Sequence, residues 1–150
     1  MGTAENNEIG KRRRATAQLM RRIMVEFRGQ LDEELRPYGV TTAQIKVLWA
    51  VRDWPGSSGA QLSRLCQVTP QSAQALIQRA EVEGWIVRSK DRTNERIIRA
   101  SLTPSGKQLL KTADRVAKTI EARLWHGVPI ETIDVLNGTL EQCLRNISAE

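Results

Sequence analysis

Between Thr69 and Glu83 the chain places four neutral hydrogen-bonding side chains, Gln71, Ser72, Gln74 and Gln78, opposite an apolar face of Ala73, Leu76, Ile77 and Ala80. A glutamine amide donates and accepts at once, so it can pair with both edge atoms of an adenine in the major groove. An ordinary solvated helix surface would carry Glu and Lys as readily as Gln. Just downstream, Arg88, Lys90, Arg92, Arg96 and Arg99 gather around the polar stretch Asp91-Arg92-Thr93-Asn94-Glu95. Such a cluster suits phosphates, with Asp91 and Glu95 partly offsetting it. Thr69, Arg79, Lys90, Arg92 and Arg96 therefore join the glutamines as candidate DNA contacts.

Catalytic chemistry finds less material. His126 is the only histidine, so a Ser-His-Asp or Cys-His site could use no other imidazole, and it stands beside the helix-breaking Gly127. No glycine-rich phosphate loop and no histidine-based metal cluster occurs, so an enzyme, a cofactor and a metal are not expected. Cys66 and Cys143 form no Cys-x-x-Cys pair, which fits a reducing compartment. Cys66 precedes the glutamine-bearing segment, where oxidation would disturb docking; a small buried core residue is the competing reading of it.

The elements that must position these residues follow from periodicity and caps. Leu19, Ile23, Phe27, Leu31 and Leu35 recur every fourth residue and predict a long helix from about Ala15 to before Pro37. Lys11, Arg12, Arg13 and Arg14 precede it, either as a solvated tail or as a DNA-contacting arm. Thr41-Thr42-Ala43-Gln44 and Ser58-Gly59-Ala60-Gln61 both have the form of a capping box, and Thr69-Pro70 and Thr103-Pro104 both combine an N-cap with proline at the first helical position. Two short helices separated only by Gln67, Val68 and a cap form a helix-turn-helix. Trp85-Ile86-Val87 and Ile97-Ile98 predict a β-hairpin after it. Leu109, Ala113, Val116, Ile120 and Leu124 fall in phase on the next helix. A last helix carries Ile133, Leu136, Leu140, Leu144 and Ile147, with Cys143 packed.

The expected architecture is thus mainly α with a small β-hairpin wing. A winged helix-turn-helix unit over residues 40–103 is flanked by a helical dimerisation region, residues 11–36 and 104–148. The net charge of +6 points to a polyanionic partner, while 40% apolar and 27% charged residues build a core without supplying a membrane span. A cytoplasmic location follows. Trp54, Trp85 and Trp125 fall at element ends as anchors.

As a set, Gly39-Val40-Thr41 with Gln44 and Val47-Leu48, Gln61-Leu62, Val68-Thr69, the segment through Glu83-Gly84 and Arg88, and Arg96 with Ser101-Leu102-Thr103 and Gly106 resemble the MarR family of bacterial transcriptional regulators. The resemblance covers nearly everything after the first dozen residues. It implies an obligate homodimer that presents two winged helices to a pseudo-palindromic duplex site, with repression as the default outcome. It also implies release on binding a small aromatic or phenolic effector, for which Arg28 and Trp49 are the candidate contacts. A thiol-sensing repressor and a winged-helix protein-interaction module are the alternatives. The family's wing reads Asp-Arg-Arg where this chain has Asn94-Glu95-Arg96, which leaves Arg92 as the tip contact and Arg96 for pairing inside the wing. Ala75 stands where many relatives carry a basic residue.

Overall fold

The computed structural model describes residues 2–148. In order the elements are α1 (Gly2–Leu35), a 3-10 turn (Arg36–Tyr38), α2 (Thr42–Asp53), α3 (Gly59–Cys66), α4 (Pro70–Val82), β1 (Ile86–Lys90), β2 (Ile98–Leu102), α5 (Pro104–Leu124) and α6 (Ile130–Ser148). The expected mainly α fold with a two-stranded antiparallel wing is what the chain adopts.

The starts of the inner helices are set by local chemistry. Thr41 Oγ1 accepts from the Gln44 amide while the Thr41 amide donates to Gln44 Oε1, and Ser58 and Gln61 repeat this reciprocal pair. Thr69 and Thr103 accept from the amides of Ser72 and Gly106, each with proline opening the helix. Each such cap contributes about 1 kcal/mol.

α1 departs from expectation at its start. It runs from Gly2, so Lys11, Arg12, Arg13 and Arg14 lie inside the helix and are neither a tail nor an arm. No proline interrupts residues 5–14, Glu, Lys and Arg are good helix formers, and Glu8 pairs with Arg12 one turn on. The 34 residues make a rod about 50 Å long.

One core joins Leu31 and Leu35 of α1 to Ile45, Leu48 and Val51 of α2, Leu62 of α3, Ile77 of α4, Trp85 and Ile86 at the wing base, and Leu110, Ala113 and Ile120 of α5. Gly106 is required where α5 meets the wing base: a Cβ there would lie 2.0 Å from the Trp85 carbonyl oxygen. Trp85 is therefore the anchor expected of it, whereas Trp54 is exposed because its ring lies outside the core at the α2 C-cap.

Carboxylates from α1 and α5 hold α2 near both ends. Asp32 accepts from the Thr42 amide at 2.6 Å, and Asp114 accepts from Trp49 Nε1 at 2.8 Å and from Arg52 at 2.7 Å. Burial alone would raise the Asp32 carboxyl, but the Thr42 hydrogen bonds and the Arg28 charge outweigh it and hold it below its ordinary value. A carboxyl depressed in the folded state stabilises above the unfolded pKa, and that stability is lost as pH falls through the folded value. Asp32→Asn should therefore lower Tm at neutral pH, and its melting curve should converge with that of the unaltered protein as both are taken below about pH 3. A Tm difference that stayed constant into acid would show that the Asp32 charge is not the tie.

α6 buries none of its residues within the chain. Val135, Leu144 and Ile147 are exposed on it, as are Leu19, Ile23 and Met24 on α1. Cys143 is likewise exposed, not packed as expected, because α6 meets no core within one chain. Among the described residues no helix is long and apolar enough to cross a membrane.

Candidate nucleic-acid interface

α3 and α4 meet through a turn whose geometry is over-determined. Gln67 adopts the left-handed region at φ 54°, the Val68 amide donates to the Ser63 carbonyl, and Ser63 Oγ donates back to the Val68 carbonyl at 2.8 Å. The strained Gln67 backbone costs roughly 1 kcal/mol, which these bonds offset. α4 is thereby fixed on its neighbour α3.

On α4, Ala73, Ile77 and Ala80 are buried, while Gln71, Ser72, Gln74, Ala75, Gln78 and Arg79 are exposed. Thr69 lies at the cap, with Oγ1 accepting from the Ser72 amide and donating to Ser72 Oγ. The Arg79 guanidinium sits 2.6 Å from Glu83 one turn on, so its charge is largely matched. What remains outward is a row of neutral donors and acceptors.

The wing pairs Ile86 with Leu102 through to Lys90 with Ile98. Its loop is organised by Asp91, whose carboxylate accepts from the Thr93 amide, the Thr93 hydroxyl and the Asn94 amide at 2.6–3.0 Å, and from Arg99 Nε. These hydrogen bonds hold the carboxyl far below the ordinary range. Arg96 does not pair inside the wing as the sequence suggests; only its amide is engaged, by Asn94 Oδ1. The Asp91 carboxylate is already taken by Arg99 of β2 and by the Thr93 and Asn94 groups. Arg88 is also consumed, donating twice to Glu81 of α4 at 2.6 and 2.9 Å. Lys90, Arg92 and Arg96 are exposed and make no ion pair among the described residues. An open cleft of 420 Å³ lined by Ser58, Gln74, Ile77, Arg88, Arg96 and Ile98 brings α4 and the wing to one face.

The remaining candidates are scattered. Arg28 borders a cleft with Asp32, Arg36 and Thr41, which Trp49 does not line; Trp49 is half-buried with its indole N–H committed to Asp114. Sequence reasoning missed a 370 Å³ cleft between α1 and α5, lined by Leu19, Ile23, Phe27, Ile120 and Leu124 together with Arg22, Glu26 and Arg123. The shared apolar phase of those two helices was its only signal. Cys66 is corrected as a redox position: it is 1% exposed in the core, and burial pushes its thiol up, which is opposite to what a reactive thiolate needs.

A capped helix-turn-helix, with a basic hairpin braced against both of its helices, defines a winged-helix protein. Residues 38–97 match the model of the MarR family. The HTH-type transcriptional repressor Rv2887 of Mycobacterium tuberculosis is 29% identical over 124 residues, 83% of this chain and 84% of the relative. The fold is shared with a mutant MarR from E. coli complexed with operator DNA, at TM-score 0.77 and 20% identity over 85% of this chain and 92% of that one. It is shared as well with CouR from Rhodococcus jostii RHA1 bound to p-coumaroyl-CoA, at TM-score 0.73 and 21% identity over 83% and 88%. The winged-helix portion of the chain thus matches the MarR family model, and most of its length is similar to curated transcriptional repressors.

Proposed function

We propose that this chain is a dimeric repressor that binds a pseudo-palindromic duplex site through α4 and the wing. The observation that carries the reading is the pairing of a neutral, hydrogen-bonding α4 face with three wing cations that make no ion pair among the described residues. Gln71, Gln74 and Gln78 read base edges from the major groove, with Thr69, Ser72, Ala75 and Arg79 beside them on the same face. Lys90, Arg92 and Arg96 meet phosphates or the adjacent minor groove. Residues 40–103 form the DNA-binding unit. The apolar stripes of α1, α5 and α6, in residues 11–36 and 104–148, meet those of a second copy. The operator-bound E. coli relative supports the same use of this fold.

Release by a small aromatic or phenolic effector is the finer part of the proposal. The α1–α5 cleft supports it, since Phe27 and Ile120 offer apolar walls and Arg22 and Arg123 offer partners for an acid. CouR, with its aromatic thioester, supports the same use of the fold. Arg28 and Trp49 remain contacts to test beside these.

Two truncations separate base reading from charge. Gln74→Ala should cost about 1 to 3 kcal/mol on the preferred duplex and flatten the preference at particular base pairs. Arg92→Ala should weaken binding to all duplexes and make the salt dependence shallower by about two units for a symmetric dimer, if its contact is to phosphate. Binding by anisotropy across a salt series checks both. Unchanged affinity and preference in both variants would remove α4 and the wing from the interface.

A further inference from the structure

Of the five basic residues in the wing, two reach outside it: Arg88 pairs with Glu81 of α4, and Arg99 reaches the α2–α3 loop. Nε donates to Asp91 Oδ2 at the start of the tip loop, and Nη1 donates to the Gly56 carbonyl in the α2–α3 loop at 2.6 Å. Its backbone forms a bridge with Ser58, and the next residue's amide donates to the Ser57 carbonyl. Gly56 itself sits at φ +76°, a conformation glycine adopts without strain, and its missing side chain leaves room for the Arg99 stem: a Cβ there would stand 3.5 Å from Arg99 Cδ. An unbroken line of bonds thus runs from the α2–α3 loop through one guanidinium to Asp91, and from Asp91 to the amides of the adjacent residues Thr93 and Asn94 in the tip loop.

We infer that Arg99 is a positioning residue for DNA binding: it clamps the wing to the α2–α3 loop and thereby sets where Arg92 meets the duplex, without touching DNA itself. This rests on the proposed DNA-binding role of α4 and the wing. The clamp is not a general solvated ion pair. Arg99 is only partly exposed, the Asp91 side chain is 12% exposed, and the guanidinium's planar fork satisfies a carboxylate and a carbonyl on two different segments at once. A lysine, with its single ammonium, could take one partner at that geometry. The other bonds of the tip loop are internal to it, from the Asp91 amide to the Ile97 carbonyl, the Ile97 amide to the Asn94 carbonyl and the Arg96 amide to Asn94 Oδ1, so none of them ties it to the α2–α3 loop. Removing the clamp therefore frees the tip without opening the core, which holds the wing base through Trp85, Ile86 and Ala100.

Two measurements test the inference separately from the reading beneath it. Without DNA, hydrogen exchange should show the amides of Thr93, Asn94 and Ala100 losing protection in Arg99→Ala while those of α4 keep theirs. On duplex DNA, a double-mutant cycle should show Arg99→Ala costing roughly tenfold in affinity in the unaltered protein and almost nothing in the Arg92→Ala background, because the clamp acts through Arg92. Arg99→Lys should recover only part of the loss. An unaltered exchange pattern, or an equal loss in both backgrounds, would overturn the inference. Loss of tip protection in a protein that binds no duplex would instead overturn the DNA-binding reading, and with it Arg99's role there, while leaving the clamp itself in place.

Discussion

Gly106→Ala is expected to be the most destabilising single substitution at any glycine of this chain. The added methyl would stand 2.0 Å from the Trp85 carbonyl oxygen and 2.9 Å from its carbon, both backbone atoms that cannot swing aside. That same oxygen accepts from the Thr103 amide at 3.0 Å, and Thr103 caps α5 while its hydroxyl also donates to the Gly84 carbonyl. Relieving the clash means lifting the start of α5 off the wing base. The turn at Gly84, the α5 cap and the burial of Trp85 are then disturbed together. A loss of about 3 kcal/mol or more is expected, in the range of overpacking combined with a lost cap. Denaturant unfolding checks it, with Gly29→Ala as the comparison, since nothing lies within 4 Å of the Cβ position there and a helical alanine should stabilise slightly. Equal stabilities for the two variants would mean that α5 does not seat on the wing base as described.

Removing α6 is expected to have the largest effect on function. Within one chain α6 buries no residue, yet it presents Val135, Leu136, Leu140, Leu144 and Ile147 on its surface, and α1 likewise leaves Leu19, Ile23 and Met24 exposed. Apolar surface of that extent favours association with a second copy, since each fully buried aliphatic side chain is worth about 2 kcal/mol. Two winged helices held in one particle bind two half-sites with an effective concentration that separate chains lack. A chain ending at His126 should sediment as a monomer, keep its winged-helix core, and bind the preferred duplex at least a hundredfold more weakly, by the usual reach of bivalency. A soluble truncated monomer with undiminished affinity would exclude the dimer from the mechanism.

What could be read from the residues alone follows the range of the interactions. Both capping boxes, both Thr-Pro starts and the boundaries of α2 to α5 depend on atoms within four residues of one another, and the sequence displays them directly. The outward glutamines of α4 were equally legible, because helical phase alone separates them from Ala73, Ile77 and Ala80. The start of α1 was not, because the apolar period used to find the helix begins well inside it. Partner choice across the fold was least legible. Arg96 and Arg99 are chemically alike in sequence, and only the approach of Gly56, 43 residues away, decides that Arg99 is the clamp and Arg96 is free. Asp114 is bound to Trp49 across 65 residues, an interhelical tie that no local pattern displays. Cys66 needed the packed core to show that its thiol is shielded.

The claim on which the rest depends is that α4 and the wing bind duplex DNA with sequence preference. Its most direct test is equilibrium binding of the full chain to the DNA flanking its own gene and to random duplex of equal length, each measured at several salt concentrations. The account predicts tight binding to a site in the flanking DNA, weaker binding to random duplex, and affinity that falls with salt on both, more gently once Arg92 is replaced by alanine. Equal affinity for both duplexes at every salt concentration, or no binding to either at low salt, would contradict it.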